Sequence, residues 1–278
     1  MVSRLAWCGD MELGLVLHEA AYDGDVAELR RLAAQGVDVN VQLDERRQTA
    51  LHWAAFKGRA EAIRVLVELG ADTEAKGADG MTPLHAAAAM GHVEAIETLA
   101  ELGANKEATE LIGATPLHYA ACMGHVEAIQ ALAQLGVNIE AKSAHGDTPL
   151  HCAAAMGQVE AIKTLAQLGA ELEPKTAAGV TPLQFSINHG QPQAARVLRE
   201  LLHARDAASP HGPDDMEPTA ATSHASACAA CGNTSGTSGA ALKKCARCRS
   251  VKYCSVACQR THWPIHKRCC AAAAPSSS

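Results

Sequence analysis

The chain has 278 residues with 24 Lys+Arg and 30 Asp+Glu, a formal net charge of −6. Its 48% hydrophobic content suffices for a packed core. With 57 Ala but only 3 Trp, 3 Tyr and 2 Phe, the composition fits closely stacked helices better than a β-sandwich, because strands favour β-branched and aromatic side chains. No apolar run approaches the ~20 residues that span a bilayer. Leu13 to Leu17, beside Glu12, is too short for a signal-peptide core. The expectation is a soluble intracellular protein, cytoplasmic, nuclear or both, without membrane contact.

Charge and cysteine both divide the chain. Residues 1–209 carry a net charge of −11, whereas residues 228–278 carry eight Lys and Arg and no acid. Cys8, Cys122 and Cys152 are scattered, and the other eight of the 11 cysteines lie between 228 and 270. Two modules with different surfaces are expected, the second organised by metal rather than by disulfides.

After a short tail (1–11), the first module is a repeat array over about residues 12–205. The series Thr49-Ala50-Leu51-His52, Thr82-Pro83-Leu84-His85, Thr115-Pro116-Leu117-His118 and Thr148-Pro149-Leu150-His151 ends at Thr181-Pro182-Leu183-Gln184, every step 33 residues. A degenerate first copy precedes it at Ala20-Ala21-Tyr22-Asp23-Gly24, which predicts six copies at about 12–45, 46–78, 79–111, 112–144, 145–177 and 178–205. Thr is an N-cap, and Pro fits the first helical position, where no N–H partner is needed. Gly ends the helix in a left-handed conformation. In the amphipathic stretch that follows, Ile96, Leu99 and Leu102 mark the buried stripe of a second helix. One such unit cannot bury its own apolar face, but a stack can.

These residues and this period resemble ankyrin repeats, over about 70% of the chain. The resemblance implies a mainly α, helix-turn-helix solenoid that binds protein partners through its turn tips and the concave face of its first helices. His52, His85, His118 and His151 sit inside a capping motif without a Cys or acid at ligand spacing, so a structural hydrogen-bonding role is expected of them. Cys122 and Cys152 are expected as small buried hydrophobes.

Two features of the array vary from copy to copy. Met90, Met123 and Met156 precede the helix-ending Gly at a 33-residue spacing. The fourth copy has Leu111-Ile112 at its turn, where its neighbours have Ala78-Asp79 and Ala144-His145. Methionine suits surfaces that accept apolar partners, but it also fills gaps between repeats. The sequence leaves both readings open.

Residues 206–227, rich in Pro, Ala, Ser and Thr, read as a flexible linker, and residues 271–278 as a low-complexity tail expected to be disordered. Between them, residues 228–270 hold Cys228-x2-Cys231, Cys245-x2-Cys248, Cys254-x3-Cys258 and His266-x3-Cys270. Seven Cys and one His supply ligands for two tetrahedral zinc ions, and the x3 pairs place two ligands one helical turn apart. Cys269 and His262 fall outside the pattern.

With Val251-Lys252-Tyr253 and Trp263-Pro264-Ile265, this segment resembles a MYND-type zinc finger at every ligand spacing. The resemblance implies interleaved sites: Cys228, Cys231, Cys254 and Cys258 around one zinc, and Cys245, Cys248, His266 and Cys270 around the other. It further implies a groove for proline-containing peptides, lined by Ser255, Gln259 and Trp263.

The function expected from these modules is a monomeric interaction adaptor, the array holding one protein partner and the finger another, in transcriptional or signalling regulation. Enzymatic activity is not expected. MYND fingers occur within lysine methyltransferases, but the two modules leave no room here for a catalytic domain, and zinc sites filled by protein ligands have no open position. The alternatives are a nucleic-acid-associated regulator using the basic finger, which lacks readout aromatics in series, and a non-catalytic accessory of a methyltransferase complex.

Overall fold

In a computed structural model of the chain, the described residues are 3–43, 45–208 and two short strands at 243–244 and 252–253. The chain divides into two units, Met1–Pro210 and His211–Ser278.

The first unit consists of six helix pairs. They are α1 (Ser3–Asp23) with α2 (Val26–Ala34), α3 (Ala50–Phe56) with α4 (Ala60–Glu68), α5 (Pro83–Met90) with α6 (Val93–Glu101), α7 (Pro116–Met123) with α8 (Val126–Gln134), α9 (Pro149–Met156) with α10 (Val159–Gln167), and α11 (Pro182–Asn188) with α12 (Pro192–Ala208). Each first helix packs on the next first helix and each second helix on the next second helix, giving two layers. The outer helices run past the edges expected for the array, from Ser3 at one end to Ala208 at the other. At the C-terminal end, no Gly or Pro interrupts residues 193–208 to stop the helix earlier.

The core follows the period. The alanine pairs Ala54-Ala55, Ala87-Ala88, Ala120-Ala121 and Ala153-Ala154 are fully buried, which lets successive first helices approach closely. Leu84, Leu117 and Leu150 lie beneath them, with Ile63, Ile96, Ile129 and Ile162 from the second helices. Leu102, expected in the buried stripe, is only half-buried because the helix ends just before it and it serves as the C-cap.

The expected caps form, and the histidines do more than cap. In four copies the Thr N–H donates to the Nδ1 atom of the His three residues on, at 3.1–3.2 Å. A backbone N–H can only donate, so Nδ1 is the acceptor and Nε2 carries the proton. Nε2–H then donates to a carbonyl of the next copy, at Met81, Ala114, Asp147 and Val180, at 3.0–3.1 Å. One neutral imidazole therefore closes a capping box and fastens two repeats together. In the last copy Gln184 accepts the Thr181 N–H at 2.9 Å. Among the described residues no further helix pair follows this copy, so the longer reach of His would find no acceptor there.

Two more ladders run at the same period. His92, His125 and Gln158 reach back to the carbonyls of Phe56, Ala89 and Cys122. Glu74, Glu107 and Glu140 accept the backbone N–H groups of Asn105, Asn138 and Glu171 at 2.6–2.9 Å. The next member, Glu173, pairs instead with Arg205 of the terminal helix. Among the described residues no buried side-chain N or O atom lacks a partner.

The turn tips are also tied. The N–H groups of Ala78, Leu111, Ala144 and Ala177 donate to the carbonyls of Arg46, Asp79, Ile112 and His145. Four of these turns contain a glycine at positive φ: Gly80, Gly113, Gly146 and Gly179. At the equivalent position of the second copy stands Arg47, with φ of 52°. A left-handed conformation costs a residue with a Cβ about 1–2 kcal/mol, so this position is strained.

Of the second unit, Lys243–Lys244 (β1) and Lys252–Tyr253 (β2) are described. They pair antiparallel, Lys243 opposite Tyr253 and Lys244 opposite Lys252.

Candidate functional site

The first helices α3, α5, α7, α9 and α11 contain no Asp or Glu, so one face of the stack is built from apolar and small residues. Its floor includes Ala89, Cys122 and Ala155, all half-buried. Met90, Met123 and Met156 are the last residues of α5, α7 and α9 and are 39%, 50% and 52% exposed. Each is followed by a glycine at positive φ (Gly91, Gly124, Gly157) that closes its helix and sets the direction of the methionine before it. Leu111 and Ile112 are 74% and 54% exposed at their turn, on a backbone held by the tip hydrogen bonds and by the Glu110 carboxylate, which accepts the Ile112 and Ala114 N–H groups. These five side chains are thus apolar, accessible and held on an ordered frame. Such a surface suits a partner better than it suits water.

The cysteines depart from expectation. Cys122 and Cys152 are half-buried unpaired thiols of the inner layer rather than core residues. Burial still pushes both thiols upward, Cys152 to about 12, so neither is an activated nucleophile. Tyr119, at the repeat position of Cys152, stands edge-on to His85, its hydroxyl pushed up to about 12 by burial and then by Glu110 and Asp79.

The ends of this face are aromatic. At one end Tyr22, Trp53 and Phe56 meet edge to face, with ring centroids 5.9 and 6.1 Å apart, and the Lys57 ammonium lies 4.4 Å over the Tyr22 ring. At the other, Phe185 stacks on His189. Sequence reading missed both clusters, although Trp53, Tyr119 and Phe185 share one position of the repeat and Tyr22 and Phe56 another, because aromatics do not recur there in every copy. The glutamate ladder was detectable: Glu74, Glu107, Glu140 and Glu173 recur every 33 residues.

The expected zinc ligands Cys228, Cys231, Cys245, Cys248, Cys254, Cys258, His266 and Cys270 lie outside the described residues, as do Ser255, Gln259 and Trp263.

Comparison with known families decides the identity. Ankyrin-repeat profiles match residues 17–110, 105–176 and 136–211, more than half of the chain, and a MYND finger profile matches residues 228–270. The chain is an ankyrin-repeat protein with a MYND finger. The crystal structure of the human ASB11 ankyrin repeat domain superposes with a TM-score of 0.59 at 31% identity, covering 66% of this chain and 82% of that one.

Among curated proteins, mouse Ankyrin repeat domain-containing protein 40 is 39% identical over 67 residues, 24% of this chain and 18% of the relative. Palmitoyltransferase AKR1 of Yarrowia lipolytica is 45% identical over 58 residues, 21% of this chain and 8% of the relative. The match therefore spans under a fifth of these relatives. Proteins so differently described share the repeats with this chain, so the likeness carries the ankyrin scaffold and not an activity. Ankyrin repeats and MYND fingers are interaction modules for protein partners, and a MYND finger is a zinc-binding domain. Among the described residues no helix is long and apolar enough to cross a membrane.

Proposed function

We propose that this ankyrin-MYND protein is a non-catalytic adaptor that holds one protein on the concave face of its repeats and a proline-containing peptide on its finger. The observation that carries the first half is the line of exposed methionines on helices without acidic side chains. Met90, Met123 and Met156 with Leu111 and Ile112 would form the anchor, the flexible thioethers adapting to an apolar partner surface. This favours the groove reading of the methionines over gap filling between repeats. The array acts as a monomer in the cytoplasm, the nucleus or both, on protein rather than nucleic acid.

Replacing Met123 with Gln and Ile112 with Ser should weaken partner capture at least tenfold, since central apolar anchors often contribute above ~2 kcal/mol to an interface. Both side chains are about half exposed, so the melting temperature should barely move. A large drop in melting temperature with unchanged capture would make these residues packing and remove the groove.

In the finger, Cys228, Cys231, Cys254 and Cys258 would hold one zinc, and Cys245, Cys248, His266 and Cys270 the other. The donor chemistry fits: soft thiolates with one imidazole suit zinc. The metal supplies folding energy that so short a segment cannot gain from a core. Ser255, Gln259 and Trp263 would then line the peptide groove. Metal analysis of unchelated protein should find two zinc ions per chain. Cys254→Ser should lower that number and abolish binding of a proline-rich peptide, while the far-ultraviolet helical signal is retained. Less than one zinc in the unmodified protein would reject the two-site assignment.

A further inference from the structure

Trp53, Tyr119 and Phe185 share one repeat position in the second, fourth and sixth copies, where the third and fifth copies have Ala86 and Cys152. Large and small side chains thus alternate along the inner layer with a period of two repeats. Each ring is braced edge-on by a ring of the copy before it: Trp53 by Tyr22, Tyr119 by His85 and Phe185 by His151, with centroids 5.9, 5.7 and 5.1 Å apart. All three are half-buried, so they remain partly accessible as fixed ridges across the groove. Successive first helices pack on one another. At the usual helix spacing of about 8–10 Å, ridges two copies apart are separated by about 16–20 Å. Between Trp53 and Tyr119 the side chains are small, Ala86 and Ala89, and between Tyr119 and Phe185 they are Cys152 and Ala155, which defines two bays. Met90 and Met156 follow Ala89 and Ala155 at the ends of their helices, so each bay has one of the exposed methionines at its edge.

We infer that these two bays receive an α-helix of a partner protein, apolar on the face laid against the repeats and basic on the rest. The inference rests on the groove reading above and adds the conformation and charge of the occupant. α5, α7 and α9 use their backbone groups within the helices and carry, besides the capping histidines, only Pro, Leu, Ala, Cys, Met and one Tyr. An extended segment on that floor would bury peptide N–H and C=O groups without partners, whereas a helix satisfies its own. A helix rises about 1.5 Å per residue, so the distance between bays is about three turns, and large apolar side chains near i and i+11 would fill both. The partner residue that meets the Tyr119 ridge between them must be small. Charge favours the same occupant. Residues 1–209 carry a net charge of −11. Asp79, Glu110 and Asp147 stand in the turns just ahead of α5, α7 and α9, with Lys76 and Lys142 farther back. The carboxylates of Glu110 and Asp79 act on the Tyr119 hydroxyl in the middle of the groove. Such a field attracts a basic partner and speeds its encounter.

The test is a display selection of random peptides, each long enough for about five helical turns, on the full chain. The Met123→Gln/Ile112→Ser variant subtracts binders held elsewhere, including on the finger. The retained peptides should carry large apolar residues about three turns apart, a small residue midway between them, and Lys or Arg off that face. Their affinity should fall at least tenfold on Ala89→Trp or Ala155→Trp, each of which fills one bay. It should fall as far when the midway residue of the peptide is made Pro, which breaks a helix, and it should weaken with added salt. Tyr119→Ala should admit a peptide with Leu at the midway position, a gain of binding that a misfolded variant cannot give. Retained peptides that tolerate the midway Pro, or that lack the three-turn spacing, would overturn the helix while the methionine groove stands. Indifference to both Trp variants and to Tyr119→Ala would overturn the bays. Acidic or salt-indifferent peptides would overturn the charge of the occupant. A selection that yields nothing after subtraction would remove groove and helix together.

Discussion

The stability of the repeat array should fall steeply as pH drops from about 6.5 towards 4, before most surface carboxylates protonate. His52, His85, His118 and His151 are buried and neutral, each with Nδ1 accepting a backbone N–H. Burial lowers all four, His85 to about 4, against the partial opposition of the carbonyl each one donates to. Above about pH 6.5 the imidazoles are neutral whether the chain is folded or not, and their contribution is complete. Below it the unfolded chain binds protons that the folded chain refuses, so the equilibrium shifts towards unfolding until the folded pKa is reached. For His85 alone the loss is about 3 kcal/mol, and three further histidines act in the same direction. Urea midpoints followed by the helical signal at pH 7 and pH 5 measure it.

His85→Gln should flatten the pH dependence. Gln184 shows that Gln closes the capping box, so the variant keeps the cap but loses the bond to Ala114 and the titrating group. It should therefore be somewhat less stable at pH 7 yet lose less on acidification. An unchanged slope would show that acid attacks the array elsewhere.

The largest single-residue effect is expected at Leu117. Its side chain is 2% exposed in the middle of the stack, between the fully buried alanine pairs of neighbouring first helices. Truncation to Ala leaves a cavity that both neighbours must bridge, at about 2–5 kcal/mol. In a solenoid each repeat is held only by its neighbours, so damage at the centre breaks the stack into two shorter pieces. Leu111→Ala, six residues away but 74% exposed, should change stability by under about 0.5 kcal/mol. Denaturant unfolding of both variants distinguishes them. Equal effects would mean that exposure does not track energetic role in this array.

The contrast between Leu117 and Leu111 shows where sequence reading stops. Both are leucines, six residues apart; the capping motif around Leu117 marks it as core, whereas Leu111 stands at a turn position, which leaves its exposure open. The methionines were more ambiguous. Their 33-residue spacing is equally compatible with a line on the groove and with a seam between repeats, since a period says that positions are equivalent but not what covers them. Solvent exposure of 39–52% required the coordinates.

What the sequence by itself determined is the part that local chemistry controls. Thr and Pro start helices, Gly ends them, and the alanine and leucine pattern marks the buried faces. These act within a few residues, so six helix pairs, their caps and their order could be read directly. Only the tertiary structure decided what each repeated side chain reaches across the stack. The carbonyl taken by each histidine Nε2 lies 29 residues away, on the next repeat. The strain at Arg47 is legible only in a backbone angle. Stacking places such groups side by side, and sequence distance carries no record of that neighbourhood.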